Sequence, residues 1–340
     1  MKKIFTFLVA IMLLIIISAC GSDDNGEASG NSNTLTVYSP HQNEIINPIV
    51  KEFQERTGIK VDVVTGGTGE LLNRVTAEEG NPGGDVFWGG GAESLEAFGD
   101  SFEPYKSAED EAIPTEFKSP NNIWTGFSAL PMVIMYNQEM VSDMDAPKEW
   151  KDLTDEKWTG KIAFVEPSKS GSAYTQLVTM LSAYSDDGND GWNFVEEFVA
   201  NLDGTILSSS SAVPKGVADG EFPVGITLEE AAYRYIAGGS SVDISYPEEG
   251  TSAVPDGVAL IKDAKNSENA EEFIDFLVSK DVQEMIVEDF GRRAVRDDVN
   301  PPEGLIGSEE IPLVDYDFGW SADNKDSVMN QFQEVLIEQE

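Results

Sequence analysis

The residues best suited to chemistry sit where predicted strands hand over to helices. Ser170-Gly171-Ser172-Ala173 places two hydroxyls and a flexible backbone at such a junction, and Thr68-Gly69 repeats the arrangement earlier in the chain. A helix starting there presents unpaired N–H groups and the positive end of its dipole, which suits a phosphate or another anion. Plain helix capping by Ser or Thr is the alternative. Gly89-Gly90-Gly91, with Gly90 at its centre, lets backbone approach a ligand with no Cβ in the way. Ser209, Ser210 and Thr227 fall at further strand ends, as hydroxyl donors or as ordinary turn and strand residues. Glu229 can accept hydrogen bonds from a hydroxyl or an amine, or serve as a first-turn acid favoured by the helix dipole. Arg292 and Arg293 can clamp a phosphate bidentately or pair with surface carboxylates. Ser39, His41 and Gln42 belong to the segment Ser39-Pro40-His41-Gln42, with His41 a cleft wall and donor or a solvated loop residue. Trp88 and Trp124 can stack on a ligand or fill a core.

The elements that must position these residues alternate strand and helix. Thr34–Ser39 reads as a strand. A helix follows whose apolar residues Ile45, Ile49 and Phe53 recur at i, i+4 and i+8. Gly58 suits a left-handed cap at its end. Ile59, Val61 and Val63 alternate with polar residues as a second strand, Thr68 opens a second helix, and 85–88 is a third strand. That order predicts a right-handed parallel α/β sheet, with the loops Ser39–Gln42, Gly66–Gly69 and Gly89–Ala92 gathered at its ligand-binding edge. A second series follows a predicted crossover at 127–137. It has strands at 160–165, 205–207 and 224–227, and helices at 174–184, at 192–201 and from Glu229. Segments 244–247 and 257–261 read as a return crossover, and 270–289 as one long amphipathic helix.

Composition removes most other classes. The chain has 340 residues, 62 Asp+Glu against 22 Lys+Arg, a net charge of −40, and 40% hydrophobic residues. This predicts two packed domains and a surface that repels nucleic acid and anionic lipid. One Cys permits neither an internal disulfide nor a multi-Cys zinc site, and one His cannot supply H-E-x-x-H. No phosphate loop of the G-x-x-x-x-G-K-[ST] type is present. No cofactor and no resident metal are expected. At the N-terminus, Lys2 and Lys3 precede an apolar run from Ile4 to Ala19, which is the pattern of a secretory signal. The expected organisation is a signal peptide over 1–19, then Cys20 and a Gly/Ser-rich tether over 20–33.

The chain resembles the solute-binding proteins of ABC importers, in the iron(III)-type branch. The resemblance rests on Gly160–Leu177 (GKIAFVEPSKSGSAYTQL), Ser208–Glu230 (SSSSAVPKGVADGEFPVGITLEE), Tyr246–Val258 (YPEEGTSAVPDGV) and Phe290–Val299 (FGRRAVRDDV). The junction Ser18-Ala19-Cys20 likewise resembles a bacterial lipobox, whose Cys is lipidated and anchors the mature protein. The resemblance implies an α/β, two-lobed periplasmic-binding-protein-like type II fold, with two crossover strands as a hinge and the ligand in the cleft between lobes. Lobe 1 is expected to comprise 34–130 and 253–310, and lobe 2 residues 131–252 and 311–340. It also implies a monomer on the extracytoplasmic face, delivering a small solute to a membrane permease.

Ferric-binding members of that branch use a His in the first loop, a Glu after the third strand and an adjacent Tyr pair. Those positions fall here on Gln42, Gly90 and Glu229-Glu230, so the phenolate set is missing. The remaining cleft candidates favour a phosphorylated or phosphonate organic anion. A ferric ion or chelate and a polyamine stand as alternatives, with an extracellular hydrolase as the reading from another class.

Overall fold

The computed structural model describes residues 33–186 and 188–339; the expected signal peptide and Cys20 lie outside them. The first half is built around strand β1 (Thr34–Ser39), flanked in parallel by β2 (Lys60–Thr65) and β3 (Val86–Gly91). Helix α1 (Asn43–Thr57) connects the first two strands and buries Ile46, Ile49, Val50 and Phe53. Gly58 ends it at φ 74°, a conformation that a residue with a Cβ adopts only with strain. Helices α2 (Thr68–Ala77) and α3 (Ala92–Ala97) follow β2 and β3, so both begin at the strand C-terminal edge. Strand β4 (Phe102–Glu103) closes this half against a later strand.

Strand β5 (Thr125–Asn137) then runs through both halves. Beyond it come β6 (Ile162–Ala163), α4 (Gly171–Ala183), α5 (Trp192–Leu202), α6 (Ala212–Ala218), β7 (Val224–Leu228), α7 (Glu229–Ala237) and β8 (Val242–Ser245). The chain returns along β9 (Ala253–Ile261), continues through α8 (Ser267–Leu277), α9 (Lys280–Phe290) and β10 (Arg293–Ala294), and ends in α10 (Phe318–Asp323) and α11 (Lys325–Glu338). The strand order is β2-β1-β3-β9-β5-β7-β6. Thr125–Pro131 of β5 pair antiparallel with β9, whereas Met132–Tyr136 pair with β7. Opposite Pro131 stands Ala253, and opposite Ala129 stands Pro255. Neither proline donates an N–H, so the ladder thins where the strands cross between halves.

Each half has its own core. Leu35, Ile49, Phe53, Trp88, Phe127, Phe273 and Ile286 share one cluster. Trp150, Phe164, Leu177, Phe194 and Phe198 share another, sealed by Val328, Phe332 and Val335 of α11.

Several predicted elements differ: the loop expected at Gly89–Ala92 is the end of β3 and the start of α3, and the strand expected at 160–165 shortens to β6. Segment 244–247 is not part of the return: β8 pairs with β5 inside the second half, and β9 crosses alone. The predicted strand at 205–207 reduces to one bridge between Leu207 and Val165. The helix expected over 270–289 is two helices, because Ser279 is extended and its hydroxyl donates to the Phe276 carbonyl at 2.6 Å. A hydroxyl that bonds nearby backbone competes with the helical ladder.

Where the halves cross, two basic residues meet three acids. Arg293, beside β5 through β10, donates from Nε to both oxygens of Glu229 at 2.7 and 2.9 Å. Both side chains are 1% exposed. The Tyr246 hydroxyl also donates to Glu229, and Arg293 reaches the Tyr246 oxygen at 3.1 Å. Arg292 lies 2.6 Å from Glu230 and 2.8 Å from Asp256, whose other oxygen accepts from Ser128 N and Oγ. Burial costs these charges their hydration, so each depends on its partner. Arg293→Ala should therefore destabilise the protein by about 3–5 kcal/mol in urea denaturation. Arg293→Met with Glu229→Leu should recover most of that loss.

Candidate functional site

A cavity of about 740 Å³ opens between the two halves and collects several of the sequence candidates. From the first half it is lined by Pro40, Thr68, Gly69, Gly91, Glu93 and Ser94, and from the second by Ser170, Gly171, Ser172, Thr175 and Ser210. A neighbouring cavity of about 520 Å³ shares Ser172, Ser210 and Leu228 and adds Gln42, Thr227, Glu230 and Arg234. The volume suits a small solute.

Two helix starts face this space. Ser170 caps α4: its Oγ accepts from the Ala173 N–H at 3.4 Å and lies 2.9 Å from the Ser172 Oγ. The N–H groups of Gly171 and Ser172 have no acceptor among the described residues. A Cβ added at Gly171 or at Gly69 would meet nothing within 4 Å, so both backbones border open space. No side chain caps α2, which leaves its first-turn N–H groups free as well. Gly90 sits behind this wall at φ 79°, where a Cβ would come 2.8 Å from Thr68 Cγ2. Its missing Cβ leaves room for Thr68, and it is not itself among the cavity's lining residues.

Other candidates are spent on structure. Ala173 is 1% exposed, and its N–H is taken by Ser170. Ser39 is fully buried and donates to the Trp88 carbonyl at 2.7 Å. Trp88 is core, packed on Phe127 and Phe273 at 5.2 and 5.8 Å, and Trp124 is core too, donating to Glu96. Glu229 was expected to meet a ligand hydroxyl or amine, but Arg293 and Tyr246 occupy its oxygens away from the cavity. Arg292 and Arg293 were expected to clamp a phosphate or pair at the surface; Arg293 is buried at the crossing, Arg292 is 11% exposed there, and both are paired with acids. The His41 side chain is 7% exposed, 5.0 Å from the Trp88 ring centre and 3.3 Å from Asp256 Oδ2.

The cavity also holds residues that sequence reasoning missed. Lys325, the first residue of α11, lines it, and its Nζ lies 5.1 Å from the Tyr174 ring centre. No carboxylate among the described residues is within ion-pair distance of Lys325. Flanked by Asn324 and Asp326, it reads in sequence as one more surface charge. Glu93, in the first turn of α3, is 6% exposed, and its Oε1 accepts from the Thr175 hydroxyl at 2.9 Å across the cleft. Burial lifts its carboxyl above the usual carboxylate range, against the pull of its own N–H, the Thr175 hydroxyl and the Lys325 charge. Its position one residue past the predicted loop was the only available signal.

Hydroxyls, free N–H groups, one ammonium and one buried carboxylate between two α/β halves define a receptor for a small polar solute. Residues 48–311 match the family described as Bacterial extracellular solute-binding protein, and the chain belongs to it. The resemblance to its iron(III)-type branch and the two-lobed fold both hold. The chain is 28% identical to "Iron uptake protein A1" of Synechocystis, covering 84% of this chain and 82% of that one. It is 28% identical to a "Putative 2-aminoethylphosphonate-binding periplasmic protein" of Salmonella typhimurium, over 74% of each. Its fold matches that of the periplasmic binding protein AfuA from Actinobacillus pleuropneumoniae, solved with exogenous fructose-6-phosphate bound. The TM-score is 0.77 and the identity 24%, over 89% of this chain and 98% of that one. The family consists of binding proteins rather than enzymes.

His41 gives the site region a pH signature. Burial pulls its imidazole down to about 4, with Asp256 opposing and Arg292 adding to the shift. The folded protein thus holds His41 neutral, while the unfolded chain protonates it below its ordinary value of about 6.5. Stability present above that value is lost as pH falls towards 4. Between pH 7.5 and 5, the wild type should lose about 2 kcal/mol more than His41→Gln in urea denaturation. Equal losses would show that His41 is charged in the folded state.

Proposed function

We propose that this protein captures a small phosphorylated or phosphonate organic anion and delivers it to the permease of an ABC importer. The observation that carries this reading is the convergence of the α2 and α4 N-termini, the Ser170 and Ser172 hydroxyls and Lys325 on one cavity. Unpaired N–H groups and a positive dipole end are complementary to a phosphoryl group, and an ammonium adds charge-assisted bonds. The relatives named for 2-aminoethylphosphonate and the neighbour solved with fructose-6-phosphate support the same ligand class.

The relative named for iron uptake supports the ferric alternative. Against it, the two positions aligned with the Tyr pair are Glu229 and Glu230, both engaged by arginines. Delivery from the outer membrane face through a lipid on Cys20 completes the proposal. The acidity belongs to the outer surface, where salt screens it.

Thermal shift against 2-aminoethylphosphonate, fructose 6-phosphate, inorganic phosphate, ferric citrate and spermidine tests the ligand class. A phosphorus compound at a hundredfold excess over Kd should stabilise by about 2.7 kcal/mol. A shift with ferric citrate alone would overturn the reading. Ser172→Trp should abolish the phosphorus-dependent shift, and an unchanged shift would reduce the α4 N-terminus to a cap.

A further inference from the structure

One acid in the cavity has no structural use for half of its carboxylate. Glu93 is 6% exposed and lines the cavity, yet its Oε2 has no hydrogen-bond partner among the described residues. Its Oε1 is satisfied by Thr175, so the side chain is held in place and the free oxygen has a fixed position. The neighbouring backbone makes room for it, since a Cβ on Gly91 would come 2.8 Å from Oε2. Native proteins seldom leave a buried carboxylate oxygen unpaired, because the lost hydration is uncompensated. Lys325 lines the same cavity without pairing with Glu93, although its charge is felt there. Opposite charges that share a cavity without touching leave a gap for a molecule carrying both complements.

We propose that Glu93 Oε2 accepts a hydrogen bond from an amine or hydroxyl on the organic part of the solute. The anionic end lies on Ser170, Ser172 and Lys325. This rests on the ligand class proposed above and adds that the solute bears an N–H or O–H donor. A site built to pair with a donor rejects an analogue lacking it, since the acceptor is then buried unpaired. Because Glu93 comes from the first half and Thr175 from the second, the solute's donor binds where the two walls already touch.

Calorimetric titration of wild type, Glu93→Gln and Glu93→Ala provides the test, with thermal melts confirming that each variant folds. In wild type, 2-aminoethylphosphonate or fructose 6-phosphate should bind at least about tenfold more tightly than ethylphosphonate, which lacks the donor. Both variants should lose that preference while ethylphosphonate affinity changes by less than about threefold. The donor-bearing compound that loses most identifies the group as amine or hydroxyl. A preference that persists in the variants, or an equal loss for all three compounds, overturns the inference. If spermidine or ferric citrate binds and no phosphorus compound does, the ligand class falls. The inference, which needs an anionic end on Lys325 and a donor on Glu93, falls with it. Absence of any binder overturns both.

Discussion

The pairing of Arg292 and Arg293 with Glu229 and Glu230 is the constraint around which the cleft is organised. Arg293 and Glu229 are almost without solvent contact, at the level where β5 and β9 pass between the halves. Charges in such a place are tolerated only with close partners, so the geometry of α7 relative to β10 is held by electrostatics as well as packing. The strands need that help, since Pro131 and Pro255 remove donors from the ladder there. Asp256 extends the network to Ser128 and reaches towards His41, tying the first loop to the crossing.

The same network decides what faces the cavity. An acidic chain with net charge −40 has many carboxylates that could line a cleft. The two acids at the start of α7 are instead turned to arginines, and Glu229 is lost to the cavity altogether. What remains is short-range: hydroxyls, first-turn N–H groups and Lys325, with Glu93 as the acid among the lining residues of the larger cavity. Backbone dipoles act within a turn of the helix end, whereas the field of the outer surface is screened beyond about 8 Å at physiological salt. Local donors and a negative surface are therefore compatible.

Much of the fold was legible because it rests on local periodicity. The β1–α1–β2–α2–β3 series follows from apolar spacing and from Gly58, and the Ser170–Ser172 junction from a strand-to-helix change in pattern. The misreadings arose where partners are distant. Ser279 breaks a helix whose apolar stripe continues on both sides, and β8 resembles a crossing strand until its pairing with β5 is known. Glu229 and Arg293 are 64 residues apart, so each looked like a free charge until the crossing brought them together. Lys325 carries no motif, and only the packing of α11 on the second core delivers it to the cavity.

Glu93 shows how the two levels combine. The three glycines that end β3 read in sequence as a loop with room for a ligand, but Gly91 makes room for a carboxylate instead. That carboxylate spans the cleft to Thr175 with one oxygen and leaves the other buried without a partner among the described residues. A receptor that needed only an anion site would gain nothing from a buried acid beside its ammonium, since the acid repels the ligand and loses hydration. Its retention within reach of the Lys325 field is intelligible if the solute carries a donor as well as a negative group. On that view the cleft selects by a pair of complementary ends, and the overall charge of the chain has little part in the choice.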